Sequence, residues 1–160
     1  MKNPATFTTP SDREIVVTRR FNAPRKLVWD TMTQVELKKR WMTGPPGWVM
    51  TVGESDTRTG GTFRAVWTGP NGETLTMSGE YRDVTPPERC VRTEKFEMVG
   101  GPPMGEQLAT LVLTDEGDKT LMTLTLEYAT KEARDGAAAS GMEHGMEASY
   151  ARLDEILAAA

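Results

Sequence analysis

Residues 142–157, MEHGMEASYARLDEIL, decide how the chain folds. An apolar stripe recurs there at spacings of four, three, four and four, formed by Met142, Met146, Ser149, Leu153 and Leu157. Strong helix formers continue from Thr130 to the C-terminus, so we predict one long C-terminal helix. Three glycines, at 136, 141 and 145, each lower helix propensity by up to about 1 kcal/mol. We therefore expect this helix to fray or bend in its first half.

Upstream of this helix, between Trp48 and Tyr128, six segments rich in strand-forming residues alternate with turn signals. The turns are marked by Gly60-Gly61, Gly69-Pro70-Asn71-Gly72, Pro86-Pro87, Gly100-Gly101-Pro102-Pro103 and Asp115-Glu116-Gly117-Asp118. Because the connections are short, each strand is expected to pair antiparallel with the next, and only residues 99–105 predict a longer loop.

The N-terminal part predicts a strand over residues 14–21 and then two short helices. Asn22 is expected to cap the first helix, with Pro24 in its first turn, and the second is expected to end at Trp41. Residues 1–12 are polar and contain proline, which predicts a flexible tail before a single domain over residues 13–160. The result is an α+β domain with a curved antiparallel sheet of about seven strands around a long C-terminal helix.

Composition narrows the possible functions. The net charge of −4 is opposite in sign to the charge typical of nucleic-acid-binding proteins. No apolar run approaches the roughly 20 residues that span a bilayer, which argues against a membrane protein. We predict a cytoplasmic protein, because the N-terminus lacks the apolar segment of a secretory signal. A single cysteine, Cys90, and a single histidine, His144, argue against disulfides, zinc and Cys/His catalysis. We expect no metal, no cofactor and no catalytic residue set.

Five short motifs occur in the order typical of one family. These are FNAPRKLVW at 21–29, LKKRW at 37–41, RTGGTF at 58–63, GEYRDVTPPER at 79–89 and EHGM at 143–146. Over about residues 13–158 the chain resembles the Activator of Hsp90 ATPase homologue 1-like group of the START-like (SRPBCC, Bet v 1-like) superfamily. The resemblance implies a helix-grip fold, in which the sheet and the long helix enclose an apolar cavity.

Period-two alternation predicts which side chains face that cavity. Phe63 and Trp67 lie on the inward face of one strand, and Met77 and Tyr81 lie on the inward face of the next strand. An apolar strand face is ordinary core by default, so these positions have two interpretations, core and ligand wall. Met142 and Met146 extend the candidate wall onto the helix. The resemblance implies a tryptophan at position 146 in most members of the family, where this chain has methionine. Tryptophans 41 and 48, beside the 44–47 turn, predict either a lid or a staple for the small helices.

Arg92 and Glu94 would face inward if Cys90 and Phe96 do. An inward arginine is unfavourable unless it is paired. Arg92 could form a salt bridge with Glu94 or Glu80 near the cavity mouth, could orient a ligand carboxylate or phenolate, or could point outward in another register.

Three functions remain open. The first is a binding protein for a small hydrophobic or aromatic molecule, with ten candidate ligand residues: Trp41, Trp48, Phe63, Trp67, Met77, Tyr81, Arg92, Glu94, Met142 and Met146. The second, implied by the family, is a co-chaperone that stimulates an Hsp90-type ATPase. The third is a cyclase or hydratase using Tyr81, Arg92 and Glu94. We favour binding over catalysis, in a monomer or a homodimer, and a stress-related role is a further expectation.

Overall fold

The computed structural model describes residues 3–102 and 104–160, so Met1, Lys2 and Pro103 lie outside it. The strands are β1 (Thr6–Thr8), β2 (Glu14–Phe21), β3 (Val49–Ser55), β4 (Thr62–Thr68), β5 (Thr74–Thr85), β6 (Arg89–Met98), β7 (Glu106–Glu116) and β8 (Lys119–Tyr128). The helices are α1 (Arg25–Thr33), α2 (Val35–Trp41), α3 (Lys131–Ala138) and α4 (Met142–Ala159).

All strands belong to one antiparallel sheet with the order β1-β2-β8-β7-β6-β5-β4-β3. The predicted meander of six strands, β3 to β8, is confirmed, and β2 closes it by pairing with β8. Helices α1 and α2 interrupt the chain between β2 and β3 and pack on α4. This is the predicted helix-grip arrangement.

The sheet has one more strand than predicted. Thr6–Thr8 pair with Thr18, Val17 and Val16 of β2, within the segment that we expected to be a flexible tail. Phe7 also packs against the edge of the core. The pairing is made by backbone groups at a sheet edge, which leaves little apolar pattern in the sequence.

The C-terminal helical segment is interrupted. Helix α3 begins after Thr130, whose side chain accepts a hydrogen bond from the backbone N–H of Ala133 at 3.0 Å. It ends before Gly141, which has a φ of 84°. That left-handed backbone suits glycine and separates α3 from α4, so the predicted single helix is two helices.

The start of α1 also differs from the prediction. Pro24, in extended conformation, is the N-cap residue, and no side chain caps the helix. Asn22 instead accepts a hydrogen bond from Asn3 at 3.4 Å. Helix α2 is fixed to α1 because the indole of Trp41 donates to the carbonyl of Thr31 at 2.9 Å. This bond orients the face of α2 that reaches the interior.

A local irregularity of the sheet shapes the strand that carries Arg92. The register of β5 and β6 shifts between Tyr81 and Asp83. Gly79 lies so close to β6 that a Cβ atom would collide with the carbonyl oxygen of Thr93. Glu80 donates its N–H to the Thr93 side chain at 2.9 Å instead of to a backbone carbonyl. The irregularity leaves Tyr81 opposite Arg92 in the register.

Candidate functional site

A cavity of about 310 Å³ lies between the concave face of the sheet and α4. Its apolar wall comes from α1, α2, the sheet and α4: Met32, Trp41, Met42, Trp67, Leu75, Met77, Tyr81, Phe96, Ala109, Leu111, Leu124, Leu126, Met142, Met146 and Tyr150. The polar groups are fewer: Thr33, Lys38, Cys90, Arg92, Glu94, Gln107 and Ser149. An apolar chamber with a few polar groups is the usual composition of a small-molecule site.

Arg92 and Glu94 both face this cavity from β6, as their alternation with Cys90 and Phe96 predicts. The guanidinium donates to Glu94 Oε2 from Nη2 at 2.7 Å and from Nε at 2.9 Å. Gln107 of β7 donates to the other carboxylate oxygen at 2.7 Å. Of the alternatives that the sequence left open for Arg92, the salt bridge with Glu94 is the one present. Burial is the largest single influence and opposes the charge on Arg92, but Glu94, Tyr81 and Cys90 together outweigh it, so the arginine pKa is raised.

Lys38 of α2 contributes a second cation to the same region. It is 7% exposed and its Nζ lies 6.0 Å from the centroid of the Phe63 ring. Burial, reinforced by the positive charge of Arg92, lowers the pKa of Lys38 to about 7, with Glu94 acting in the opposite direction. Near neutral pH this amine therefore changes its charge readily.

Sequence reasoning missed Lys38 because LKKRW is typical of a solvated helix face. A signal was available in its spacing. Lys38 lies three residues before Trp41, so the two share one face of α2, and these are the two buried residues of that helix.

Cys90 and Tyr81 flank the charged cluster. Burial raises the pKa of the Cys90 thiol, which keeps it protonated. The Tyr81 hydroxyl shares a hydrogen bond of 2.7 Å with Ser55, which in turn bonds to Thr57 at 2.6 Å. Because Ser55 lies outside the cavity lining, this bond holds the Tyr81 hydroxyl at the cavity's edge.

The loop between α2 and β3 closes one side of the cavity. The indole of Trp67 donates to the carbonyl of Met42 at 2.7 Å. Gly44 donates its N–H to the Ser149 hydroxyl at 3.1 Å and accepts from Arg152 at 3.1 Å. The loop is therefore tied both to the sheet and to α4.

Eight of the ten candidate ligand residues line the cavity: Trp41, Trp67, Met77, Tyr81, Arg92, Glu94, Met142 and Met146. Phe63 is buried beyond the lining, with its ring centroid 4.7 Å from the guanidinium carbon of Arg92. Trp48 packs beside the turn at Gly69, where an added Cβ would lie 2.9 Å from the indole. Neither of these two residues is part of the cavity lining. A ligand-binding role for any of the ten stays a prediction.

The fold and its cavity define a START-like protein of the helix-grip class. The model of the Activator of Hsp90 ATPase homolog 1-like family matches residues 22–158. The chain belongs to this family, and the resemblance inferred from its motifs is confirmed.

Solved structures agree with this assignment. A protein from Rhodobacter sphaeroides is 34% identical with a TM-score of 0.89, covering 98% of this chain and 99% of the other. A Mycobacterium smegmatis protein is 25% identical, with a TM-score of 0.84 and coverage of 98% and 99%. One from Arthrobacter aurescens, 24% identical, has a TM-score of 0.85 with coverage of 97% and 92%, and shows the shared fold alone. No curated protein matches the chain.

The described residues contain neither a membrane-spanning helix nor a metal-binding cluster. Over residues 3–102 and 104–160, no helix combines the length and apolarity needed to cross a membrane. In the same part of the chain, no three His, Cys, Asp or Glu side chains are grouped so that they could hold a metal ion.

Proposed function

We propose that the protein binds one small apolar molecule, with a polar group at one end, inside the cavity. The observation that carries this proposal is the segregation of the lining. Lys38, Arg92, Glu94 and Gln107 converge on one region, whereas aliphatic, aromatic and thioether side chains form most of the rest. A chamber divided in this way matches an amphipathic ligand.

The cavity volume limits the size of that ligand. About 310 Å³ lies at the lower end of the range of roughly 300–1,000 Å³ found for ligand pockets. A molecule of about 15 heavy atoms would need about 0.5 kcal/mol per atom to reach a micromolar Kd, which is within the usual range. One or two aromatic rings, or an acyl chain of medium length, fit these limits.

Methionines make the wall adaptable. Met32, Met42, Met77, Met142 and Met146 all contribute to it. Their flexible thioethers can repack around ligands of different shape and make favourable contacts with aromatic rings. The composition favours shape tolerance at the apolar end and leaves chemical selection to the polar end.

The neutral fluorophore N-phenyl-1-naphthylamine tests the proposal directly. We expect saturable binding with one site per chain and a micromolar Kd. Met146→Trp, which places an indole in the chamber, should weaken binding at least about tenfold. Val99→Ser is the matched control, because Val99 is 76% exposed and away from the lining. Equal binding by wild type and Met146→Trp, or none by either, would refute a cavity site.

A second candidate function is stimulation of an Hsp90-type ATPase. Family membership is the observation that favours it. The test is the ATPase rate of an Hsp90-type chaperone from the same source, measured with increasing amounts of this protein. A saturable rise in turnover supports the role, and an unchanged rate at saturating protein contradicts it.

A further inference from the structure

At the polar end of the cavity, the positive charge of Lys38 has no negative group of its own, among the described residues, to neutralise it. Arg92 and Glu94 neutralise each other through two donated hydrogen bonds, and Gln107 occupies the second oxygen of Glu94. Lys38 adds one more cation to this cluster when it is protonated. Within the part of the chain that the structure describes, the Lys38 ammonium has no carboxylate at salt-bridge distance.

The surroundings of Lys38 explain why this cation stays unbalanced. From β6, Arg92, Glu94 and Cys90 face it; the arginine repels its charge, and the carboxylate is already engaged. Tyr81 of β5 lines the same cavity. On its other side Glu54 of β3 and Arg64 of β4 border a small hollow beside Lys38, and these two are cross-strand partners of opposite charge. The groups around Lys38 therefore leave room for one further negative charge, and the cavity is where it can enter.

We propose that the ligand's polar end is a single negative charge, a carboxylate or phenolate, and that Lys38 in its ammonium form holds it. This rests on the proposed binding function and names the class of molecule bound: a small aromatic or aliphatic monoacid. Arg92 has a positioning role, since its pairing with Glu94 keeps that carboxylate from neutralising Lys38. A neutral alcohol of the same shape lacks the charge that Lys38 requires.

Binding of such an anion is coupled to protonation of Lys38. The pKa of the buried amine is about 7 in the empty cavity. A carboxylate in contact with the ammonium favours its charged form and raises that pKa. Above about pH 7 the ligand must therefore bring a proton with it. The affinity for an acid falls as pH rises, whereas the affinity for a neutral analogue does not change through this group.

A matched pair of ligands separates this inference from the binding function itself. The acid 2-naphthylacetic acid and the alcohol 2-(2-naphthyl)ethanol have nearly the same shape, and both can be measured by displacement of N-phenyl-1-naphthylamine. For wild type at about pH 6 we expect the acid to bind at least about tenfold more tightly than the alcohol. At about pH 9 this preference should fall to about threefold or less.

Two variants assign the preference to Lys38. Lys38→Met should abolish the preference for the acid, taken as the ratio of the affinities of that variant for the two naphthyl ligands. Lys38→Arg should keep the preference at both pH values, because a guanidinium stays charged. Equal binding of acid and alcohol by wild type, or an undiminished preference in Lys38→Met, would overturn the inference and leave the cavity function standing. Failure of wild type to bind the fluorophore and both naphthyl ligands would overturn both.

Discussion

Arg19 and Arg92 each pair with a carboxylate, yet their surroundings differ. Arg19 of β2 donates to both oxygens of Asp154 on α4, at 2.7 Å and 2.6 Å. Its guanidinium carbon lies 4.8 Å from the centroid of the Phe21 ring and 5.7 Å from that of Tyr150. Here side chains fill the space, and the ion pair ties the sheet to the long helix.

The Arg92–Glu94 pair is built differently. Both residues belong to β6, two positions apart, so their salt bridge joins no separate elements. One side of the pair is open to the cavity, with Lys38 nearby. The Arg19–Asp154 pair therefore links two elements of the fold, whereas the Arg92–Glu94 pair links none and faces the cavity.

The largest effect should come from the pair that links β2 to α4. Asp154→Ala leaves the buried Arg19 without a counter-charge, and we expect the free energy of unfolding to fall by about 3 kcal/mol. Urea titration measures this change. Glu155→Ala, at the exposed neighbouring position, serves as control. A loss below about 1 kcal/mol would show that the Arg19 pair does not support the fold.

Lys38→Met, in contrast to Asp154→Ala, should raise the free energy of unfolding. Because burial lowers the pKa of Lys38 to about 7, the folded protein binds fewer protons than the unfolded chain between about pH 7 and the unfolded value. Lysine thus destabilises the fold most below pH 7, and its contribution becomes more favourable as pH rises. We expect Lys38→Met to stabilise the protein by about 1–3 kcal/mol at about pH 6 and by less at about pH 9.

Urea titrations of both proteins at the two pH values measure this difference, with Arg40→Met on the exposed face of the same helix as control. Other titrating groups cancel because they are common to wild type and variant. A destabilised Lys38→Met at about pH 6 would show that the buried ammonium supports the fold instead.

Arg92→Met sharpens the comparison between the two ion pairs. Glu94 would keep its hydrogen bond from Gln107 and gain Lys38 as its nearest cation. We therefore expect a loss of only about 1 kcal/mol, well below that for Asp154→Ala. Urea titration of both variants measures the two losses in the free energy of unfolding. Equal losses for both variants would remove the distinction between a fold-supporting pair and a cavity pair.

The smallest effect on stability concerns the loop that closes the cavity. Ser149→Ala removes the hydrogen bond to the Gly44 N–H, with an expected loss of about 0.5–1 kcal/mol. Release of N-phenyl-1-naphthylamine in stopped-flow measurements should nevertheless become severalfold faster, since the loop is less firmly held. Ser140→Ala, away from this loop, should leave the release rate unchanged. An unaltered rate in Ser149→Ala would place ligand entry elsewhere.

Much of the fold was predictable because its signals are local. Turns rich in glycine and proline separate six strands with clear alternation, and this fixed both the meander and the inward faces. Strand β1 was missed because its pairing with β2 is made by the backbone and not by an apolar face. The break at Gly141 depends on a left-handed backbone that residue identity permits but does not require.

The site was predictable only in part. Alternation along β6 placed Arg92 and Glu94 on the cavity side, but it gives the direction of a side chain and not its depth. Phe63 faces inward and yet lies behind Arg92, beyond the cavity wall. The burial of Lys38 depends on how α2 packs against the sheet and α4. The local sequence, which is rich in charged residues, gives no indication of that packing.

Native mass spectrometry of the freshly purified protein, compared with the denatured mass, tests the central claim most directly. We predict an additional mass that is released on denaturation, belongs to a small organic acid, and is reduced in Met146→Trp. After unfolding and refolding, wild type should take up 2-naphthylacetic acid with one molecule per chain. A protein that carries only its polypeptide mass and takes up no such acid after refolding would contradict the account of this cavity as a binding site.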